Sequence, residues 1–265
     1  MRVAVVGKGG SGKSMVAGTM ARLLARRGHR VLALDSDPMP GLAINLGLGP
    51  LDTPMLIDAV EKNEQGRWQL KKGIGAARAV QRYAVTAPDG VKLLQYGKAT
   101  EEGLGPILGS INAFNAVASR LGQSNVLRGW TIVGDLPAGP RQTAFGWAPY
   151  ADAVLVVVEP TWQSILTARR VARIARQRGE VEALFILNKV CDEQDVLTIR
   201  ERLGESAFAA VPLDDAAREA DRRGLALLDV APQSCAVRAI ELLVDRLEER
   251  SVERCKRSER RVKRH

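Results

Sequence analysis

Residues 1–14 read MRVAVVGKGGSGKS, and the last eight of them match the phosphate-binding loop pattern G-x-x-x-x-G-K-[ST]. An apolar, strand-like run at residues 3–6 precedes the match, and an amphipathic helical pattern at residues 14–27 follows it. Glycines let backbone N–H groups turn inward around phosphate oxygens, and the following helix offers its positive end. A glycine-rich turn that binds nothing is the alternative. We favour a phosphate site, because the pattern joins a strand to a helix as the mechanism requires.

The loop residues have distinct expected roles toward a nucleoside triphosphate and its Mg²⁺ ion. Lys13 is expected to reach the β- and γ-phosphates, and the Ser14 hydroxyl is expected to ligate Mg²⁺. The predicted nucleotide-binding residues of this segment are Gly7, Lys8, Gly9, Gly10, Ser11, Gly12, Lys13, Ser14 and Met15.

Short apolar runs alternate with amphipathic helical patterns along most of the chain. Strands are predicted at residues 3–6, 31–34, 91–96, 130–133, 153–158, 183–187 and 208–211. Helices are predicted at residues 14–27, 107–121, 164–178, 195–203, 215–223 and 235–249. Several strands, such as VLVVV at residues 154–158, are apolar on both faces. This pattern predicts an α/β fold: a doubly wound, mostly parallel sheet with helices on both faces.

Two regions depart from that alternation. Residues 50–88 are weakly patterned, with one helix expected at residues 55–62, and we interpret them as an insertion in a single domain that spans residues 1–249. Residues 250–265 carry eight Lys or Arg and two Glu, so they hold +6 of the net charge of +9. We expect a flexible, solvated basic tail there, and an arm that binds nucleic acid is the alternative.

Composition excludes several classes of protein. No apolar run approaches the roughly 20 residues that a membrane span needs, and no signal-peptide pattern occurs near residue 1, so we expect a cytoplasmic protein without membrane contact. The three cysteines, Cys191, Cys235 and Cys255, form no CxC or CxxC pair. We therefore expect thiols without a role, and neither a disulfide framework nor a metal site within one chain.

Acidic residues follow two of the predicted strands. Asp35 and Asp37 come after residues 31–34, and Asp135, followed by Gly139, comes after residues 130–133. Each Asp alone could be a helix cap or a turn residue. Ligands of open α/β sheets bind at the carboxyl ends of the strands, so the joint placement of these acids with the loop favours one site.

Lys8, inside the loop, and the segment DSDP at residues 35–38 resemble a known family. K-G-G-x-G-K-[ST] is the deviant Walker A motif of the P-loop ATPases that include the cell-division and plasmid-partition ATPases, the arsenite-pump ATPase and the nitrogenase iron protein. Within that group the sequence is most similar to the CooC-like carbon monoxide dehydrogenase maturation ATPases. The similarity extends over nearly the whole chain, including residues 156–160, 164–173, 188–189, 211–214 and 219–224.

The resemblance implies the ligands and the roles of the site residues. It implies ATP and Mg²⁺ as cofactors and an ATP-dependent homodimer, in which Lys8 reaches across to the nucleotide of the partner subunit. The implied catalytic residues are Lys8, Lys13 and Asp37. Asp37 would orient or deprotonate the attacking water, and Asp135 would join Ser14 around Mg²⁺. Asp35, Asp37, Asp135 and Gly139 would form the nucleotide-sensing switches, Asn188 would read the adenine, and Pro212 would lie on the loop that covers it. The alternative for Lys8 is a solvated side chain at the shoulder of the loop.

The sequence departs from its relatives at the metal sites. The CooC-like nickel ATPases carry a C-x-C pair where this chain has Pro106 and Leu108, and neither residue can replace a thiolate ligand. No cysteine occurs between Asp135 and Trp147, where the iron protein binds its bridging cluster. We therefore expect no stoichiometric nickel or zinc and no cluster redox chemistry.

Three functions remain open at this point. The first is a Mg²⁺-dependent ATPase that acts as a dimeric switch on a client protein, which could be a metalloenzyme under assembly. The second is a positioning or partition ATPase that binds DNA nonspecifically through residues 250–264. The third is a nucleotide-binding scaffold with negligible turnover.

Overall fold

A central sheet organises the chain. The computed structural model describes residues 1–37, 41–49, 51, 56–66, 68–95, 104–139, 148–178 and 181–262. These residues form an eight-stranded sheet of order β10-β9-β8-β1-β7-β2-β6-β5 and a two-stranded sheet β3-β4. The strands are β1 (Arg2–Gly7), β2 (Val31–Asp35), β3 (Val60–Lys62), β4 (Trp68–Leu70), β5 (Val85–Thr86), β6 (Lys92–Gln95), β7 (Thr131–Asp135), β8 (Ala153–Val158), β9 (Glu182–Val190) and β10 (Ala207–Pro212). All pairs of the large sheet are parallel except β5 with β6.

Helices cover both faces of this sheet. The described helices are α1 (Lys13–Arg26), α2 (Leu42–Asn45), α3 (Ala76–Tyr83), α4 (Leu104–Leu121), α5 (Trp162–Arg178), α6 (Glu193–Leu203), α7 (Asp215–Arg222), α8 (Leu227–Val230) and α9 (Cys235–Val262). Val3 and Val5 of β1 belong to a core shared with α1 and α9, whereas Ala4 and Val6 face a core shared with α5. The doubly wound α/β fold predicted from the two-faced apolar strands is confirmed.

The insertion at residues 50–88 differs from its prediction. The helix expected at residues 55–62 is wrong: a 3-10 helix, Leu56–Ala59, leads directly into β3. The reason lies in long-range packing, since β3 finds an antiparallel partner in β4 across a turn in which Gly66 donates to the Asn63 carbonyl. The same segment supplies α3, which we did not predict, and its apolar residues pack against α4 in one core.

The last helix is longer than its predicted end. Helix α9 begins at Cys235 and continues to Val262, so the domain boundary expected at residue 249 falls inside a helix. Arg250 pairs with Glu182 at the start of β9, and Arg254 donates to the Asp152 carbonyl at 3.0 Å. These contacts hold the first part of the basic segment against the sheet. None of the described helices is long and apolar enough to cross a membrane.

Candidate functional site

The candidate site lies where β1 ends and α1 begins. Strand β1 sits between β7 and β8, and all three run in the same direction. The loop after Gly7 therefore has two neighbours at the carboxyl edge of the sheet: Asp135 at the end of β7 and Glu159 just after β8. The sheet order thus places one carboxylate on each side of the loop.

Close packing shapes the loop and requires its glycines. Gly12 has φ +88°, and a Cβ atom there would lie 2.3 Å from Asn188 Nδ2. A Cβ atom at Gly7 would lie 2.5 Å from the Val157 carbonyl oxygen. The Asn188 side chain is buried and donates from Nδ2 to the Ser11 carbonyl at 2.7 Å. Asn188 therefore supports the loop, and its adenine contact stays a prediction.

Asp135 forms the core of what we call the acidic side of the loop. Ser14 Oγ donates to Asp135 Oδ2 at 2.5 Å. The second carboxylate oxygen, Asp135 Oδ1, is buried and has no hydrogen-bond partner among the described residues. Such an oxygen is costly to leave without a partner. Together with the Ser14 hydroxyl it offers the hard oxygen ligands that Mg²⁺ prefers, so these two residues fit a bound Mg²⁺.

Asp35 and Asp37 complete the acidic side. Asp35 is fully buried and accepts from the backbone N–H groups of Asp37 and Leu42, each at 3.1 Å. It thereby fixes the backbone that carries Asp37, whose side chain is half-buried. The segment that follows, residues 38–40, lies outside the described residues.

Burial sets the electrostatics of these acids. It raises the pKa of the Asp35 carboxyl, and the neighbouring Asp135 carboxylate raises it further. Burial also raises the pKa of Asp135, against the opposing effects of the hydrogen bond from Ser14 and the charge of Lys13. The acidic side therefore holds carboxyl groups that are poorly compensated by the chain's own cations.

The opposite side of the loop, which we call the lysine side, consists of Lys8, Glu159 and Lys189. Lys8 Nζ lies 3.1 Å from Glu159 Oε1, and Lys189 Nζ lies 3.3 Å from Glu159 Oε2. Lys189 Nζ also donates to the Gly10 carbonyl at 2.6 Å. We assigned no role to Glu159 or Lys189 from the sequence. A signal was present, since Glu159 directly follows β8, the buried apolar strand next to β1, and Lys189 lies near the end of β9, the strand beyond β8.

The family model for the CobQ/CobB/MinD/ParA nucleotide binding domain matches residues 3–228. The chain belongs to this family. It is therefore an ATP-binding P-loop NTPase of the MinD/ParA superfamily, and the resemblance noted in the sequence is confirmed.

Individual members of the superfamily extend the comparison over nearly the whole chain. The chain is similar to the carbon monoxide dehydrogenase accessory protein CooC of Rhodospirillum rubrum, at 28% identity over 94% of this chain and 97% of that protein. Among solved structures it is similar to the septum site-determining protein MinD complexed with Mg-ADP from Pyrococcus horikoshii, with a TM-score of 0.72 and 20% identity over 94% of this chain and 96% of that one. The MinC:MinD cell division protein complex of Aquifex aeolicus gives a TM-score of 0.69 at 21% identity, over 94% of this chain and 95% of that one.

The other predicted site residues of this MinD/ParA-superfamily chain all lie in the described part. The Gly139 N–H donates to the Gly7 carbonyl at 3.1 Å, and Pro212 ends β10 beside β9. Lys13 Nζ points back to the Lys8 carbonyl, 3.5 Å away, and Met15 is half-buried in α1. Residues 140–147, which follow Gly139, lie outside the described residues.

The described residues offer no further metal ligands at the positions where the CooC-like ATPases carry their C-x-C pair. Pro106 and Leu108 fall in α4, in a stretch whose side chains lie outside the description. Cys191 and Cys235 are exposed free thiols. No cluster of three or more His, Cys, Asp or Glu suited to a metal occurs among the residues that are described.

Proposed function

We propose that this protein is a Mg²⁺-dependent ATPase of the cytoplasm that works as a nucleotide-driven dimeric switch on a client protein. The observation that carries the proposal is the hydrogen bond of 2.5 Å from Ser14 to Asp135 beside the P-loop, together with the buried, unpartnered Oδ1 of Asp135. A P-loop supplies phosphate ligands, and this pair supplies the oxygen ligands for Mg²⁺.

Catalysis would depend on positioning and electrostatics. Lys13 and the loop N–H groups would hold the β- and γ-phosphates, and Ser14 and Asp135 would hold Mg²⁺, which offsets phosphate charge when bound. Asp37 would orient the attacking water and accept its proton. The hydrogen bond from the Asp37 N–H to Asp35 supports this role, because it ties the catalytic backbone to a buried anchor.

The dimeric part of the proposal rests on Lys8. Its side chain is about one-third exposed and pairs with Glu159. The general P-loop pattern does not require a lysine at this position. In a two-fold dimer, Lys8 of each subunit would approach the phosphates bound by the other. Contacts of that kind would make ATP favour the closed dimer more than ADP does.

The client is proposed by analogy with named relatives. The CooC relative is called an accessory protein of carbon monoxide dehydrogenase, and one structural neighbour is a complex of MinD with MinC. We therefore propose that the client here is a protein, with a metalloenzyme under assembly as the leading class. DNA is less favoured, because Arg250 and Arg254 are already engaged with Glu182 and Asp152.

ATPase assays on matched lysine variants test the enzymatic proposal. Lys13→Ala should abolish hydrolysis and sharply weaken nucleotide binding, because Lys13 closes the phosphate site. Lys72→Ala, at an exposed lysine of the insertion, is the matched control and should behave like the parent. Normal turnover in Lys13→Ala would refute the proposal that this P-loop hydrolyses ATP. Negligible turnover in the parent would favour a nucleotide-binding scaffold.

Sedimentation tests the dimer. The parent should form a larger or more compact species with a non-hydrolysable ATP analogue than with ADP. Lys8→Ala should erase that difference, since each charge-assisted contact across the interface is of the order of 1.5–3 kcal/mol. Its nucleotide affinity should stay within about tenfold, because the contacts within its own P-loop remain. A Lys8→Ala protein that behaves like the parent in both nucleotides would show that Lys8 is only a surface charge.

A further inference from the structure

Glu159 is held between two lysines on the edge of the P-loop. Its side chain is only 11% exposed, and its two carboxylate oxygens accept separately, Oε1 from Lys8 and Oε2 from Lys189. Thr161 Oγ1 adds a third contact to Oε1 at 3.3 Å. Burial alone would raise the pKa of Glu159, but the hydrogen bonds from Lys8 and Lys189 outweigh it and lower that pKa. The charged form of this carboxylate therefore depends on its lysines.

Lys189 reaches Glu159 from an unusual backbone conformation. It is one of two non-glycine residues with positive φ in the described chain, at +59°. Such a conformation is unfavourable for a residue with a side chain and persists only where the surroundings hold it. Here it accompanies a side chain that spans from the Gly10 carbonyl to Glu159 Oε2. Lys189 thus links the P-loop backbone to the carboxylate that holds Lys8.

The contact between Lys8 and Glu159 competes with the proposed role of Lys8. Lys8 Nζ lies 3.1 Å from Glu159 of its own subunit, whereas the proposed role places it at the phosphates of a facing subunit. In the proposed dimer, Lys8 would therefore leave its own Glu159 to act in the partner. Lys189 would remain, so the buried carboxylate would keep a cation after Lys8 departs.

We propose that Glu159 is a positioning residue that restrains Lys8 within its own subunit, and that Lys189 lowers the cost of releasing it. This inference rests on the proposed dimeric switch. It adds that two Lys8–Glu159 ion pairs, one in each subunit, must break when the ATP-bound dimer forms, and that this weakens the dimer. Glu159 and Lys189 therefore influence dimerisation in opposite directions.

Sedimentation equilibrium with a non-hydrolysable ATP analogue tests these opposite signs. Glu159→Gln should tighten the dimer roughly two- to twenty-five-fold, because a partly exposed pair contributes about 1.4- to fivefold and two pairs are lost per dimer. Lys189→Met should weaken it by about fivefold or more, because releasing Lys8 would then leave Glu159 buried without a cation. Glu182→Gln removes an ion-paired carboxylate at the other end of β9 and should leave the dimer constant unchanged.

General damage to the site would change the dimer constants of Glu159→Gln and Lys189→Met in the same direction. A Glu159→Gln dimer no tighter than that of Glu182→Gln, or a Lys189→Met dimer as tight as the parent, overturns the inference. If the parent dimer is lost on Lys8→Ala yet does not respond to Glu159→Gln, the dimeric switch stands and the restraint alone is refuted. A parent that stays monomeric refutes the switch and the restraint together.

A second measurement tests the contact without nucleotide or dimer. Urea unfolding of the nucleotide-free parent, Lys8→Met, Glu159→Gln and the double variant forms a double-mutant cycle. The unfolding constants should be non-additive by about two- to fivefold, the range for a partly exposed pair. Additive effects would refute the restraint even if the dimeric switch is correct.

Discussion

Two carboxylates flank the P-loop, and their surroundings are opposite. Asp135, after β7, is buried with one oxygen on Ser14 and the other without a partner in the described chain. Glu159, after β8, is nearly as buried but contacts two lysines. Burial raises the pKa of Asp135, whereas the lysines lower the pKa of Glu159. On the acidic side the charge of Lys13 does not offset the effect of burial on Asp135, whereas on the lysine side two lysines outweigh it at Glu159.

This contrast arises on a single sheet edge. Both carboxylates lie at the carboxyl ends of buried strands that pair in parallel with β1, so their positions in the sheet are equivalent. What differs is the charge of the neighbouring segments: Lys8 and Lys189 converge on Glu159, while Asp135 is near Asp35 and Asp37 as well as Lys13. This difference supports the proposal that the acidic side takes up Mg²⁺ while the lysine side is paired within the chain.

The largest expected effect lies on the acidic side, in the rate of hydrolysis. Asp37→Ala should slow ATP turnover by about 10²- to 10⁴-fold, the range for a positioned acid–base group, while ATP binding stays near normal. Single-turnover hydrolysis and equilibrium binding measure the two quantities, with Asp58→Ala, at an exposed aspartate of the insertion, as the matched control. Loss of binding with an unchanged rate would refute the role of Asp37.

A smaller effect should appear in the stability of the nucleotide-free fold. Asp135→Asn removes a poorly compensated buried charge at nearly constant volume, so the free energy of unfolding should rise by about 1–3 kcal/mol. The same variant should lose Mg²⁺-dependent nucleotide binding. Urea unfolding without nucleotide, with Asp58→Asn beside it, measures the first part, and a destabilised Asp135→Asn protein would argue that the chain itself satisfies this carboxylate.

The smallest effect concerns acid stability on the lysine side. The lysines lower the folded-state pKa of Glu159 below its ordinary value of 4.5, so its stabilisation is present above that value and is lost as pH falls through the folded pKa. Between neutral pH and about pH 3, the parent should therefore lose more stability than Glu159→Gln, by less than about 1 kcal/mol. Unfolding midpoints of the parent and of Glu159→Gln, measured across this pH range, check the prediction. If the two proteins show the same dependence on pH, the pairing of Glu159 with its lysines is contradicted.

The sequence was sufficient wherever local pattern decides structure. Runs such as residues 153–158 are apolar on both faces, which only a strand covered by helices explains, and β8 has those bounds. The P-loop, Asp35 and Asp135 could be found in the same way, because each follows such a strand. Their meeting at one edge follows from parallel strands alone.

The sequence was insufficient where distant partners decide. β3 exists because β4 lies beside it, and nothing within residues 55–62 reveals that partner. The continuation of α9 past residue 249 likewise depends on contacts with β9 and the start of β8. Glu159 meets Lys8 across 151 positions, so their pairing becomes visible only once the order of the strands is known.

The position of β1 in the sheet has a consequence for synthesis. Residues 2–7 pair only with residues 132–135 and 153–157 among the described strands, so β1 has no neighbour before residues 132–135 exist and lacks its second neighbour until residues 153–157 exist. At roughly 5–20 residues per second, a ribosome needs about 8 to 30 s between the first strand and the last of these partners. During that interval the GKGGSGKS segment lacks two groups that it meets in the folded chain, the Val157 carbonyl and the Asn188 amide. We therefore expect the loop to reach its final shape only after residue 188 has been made.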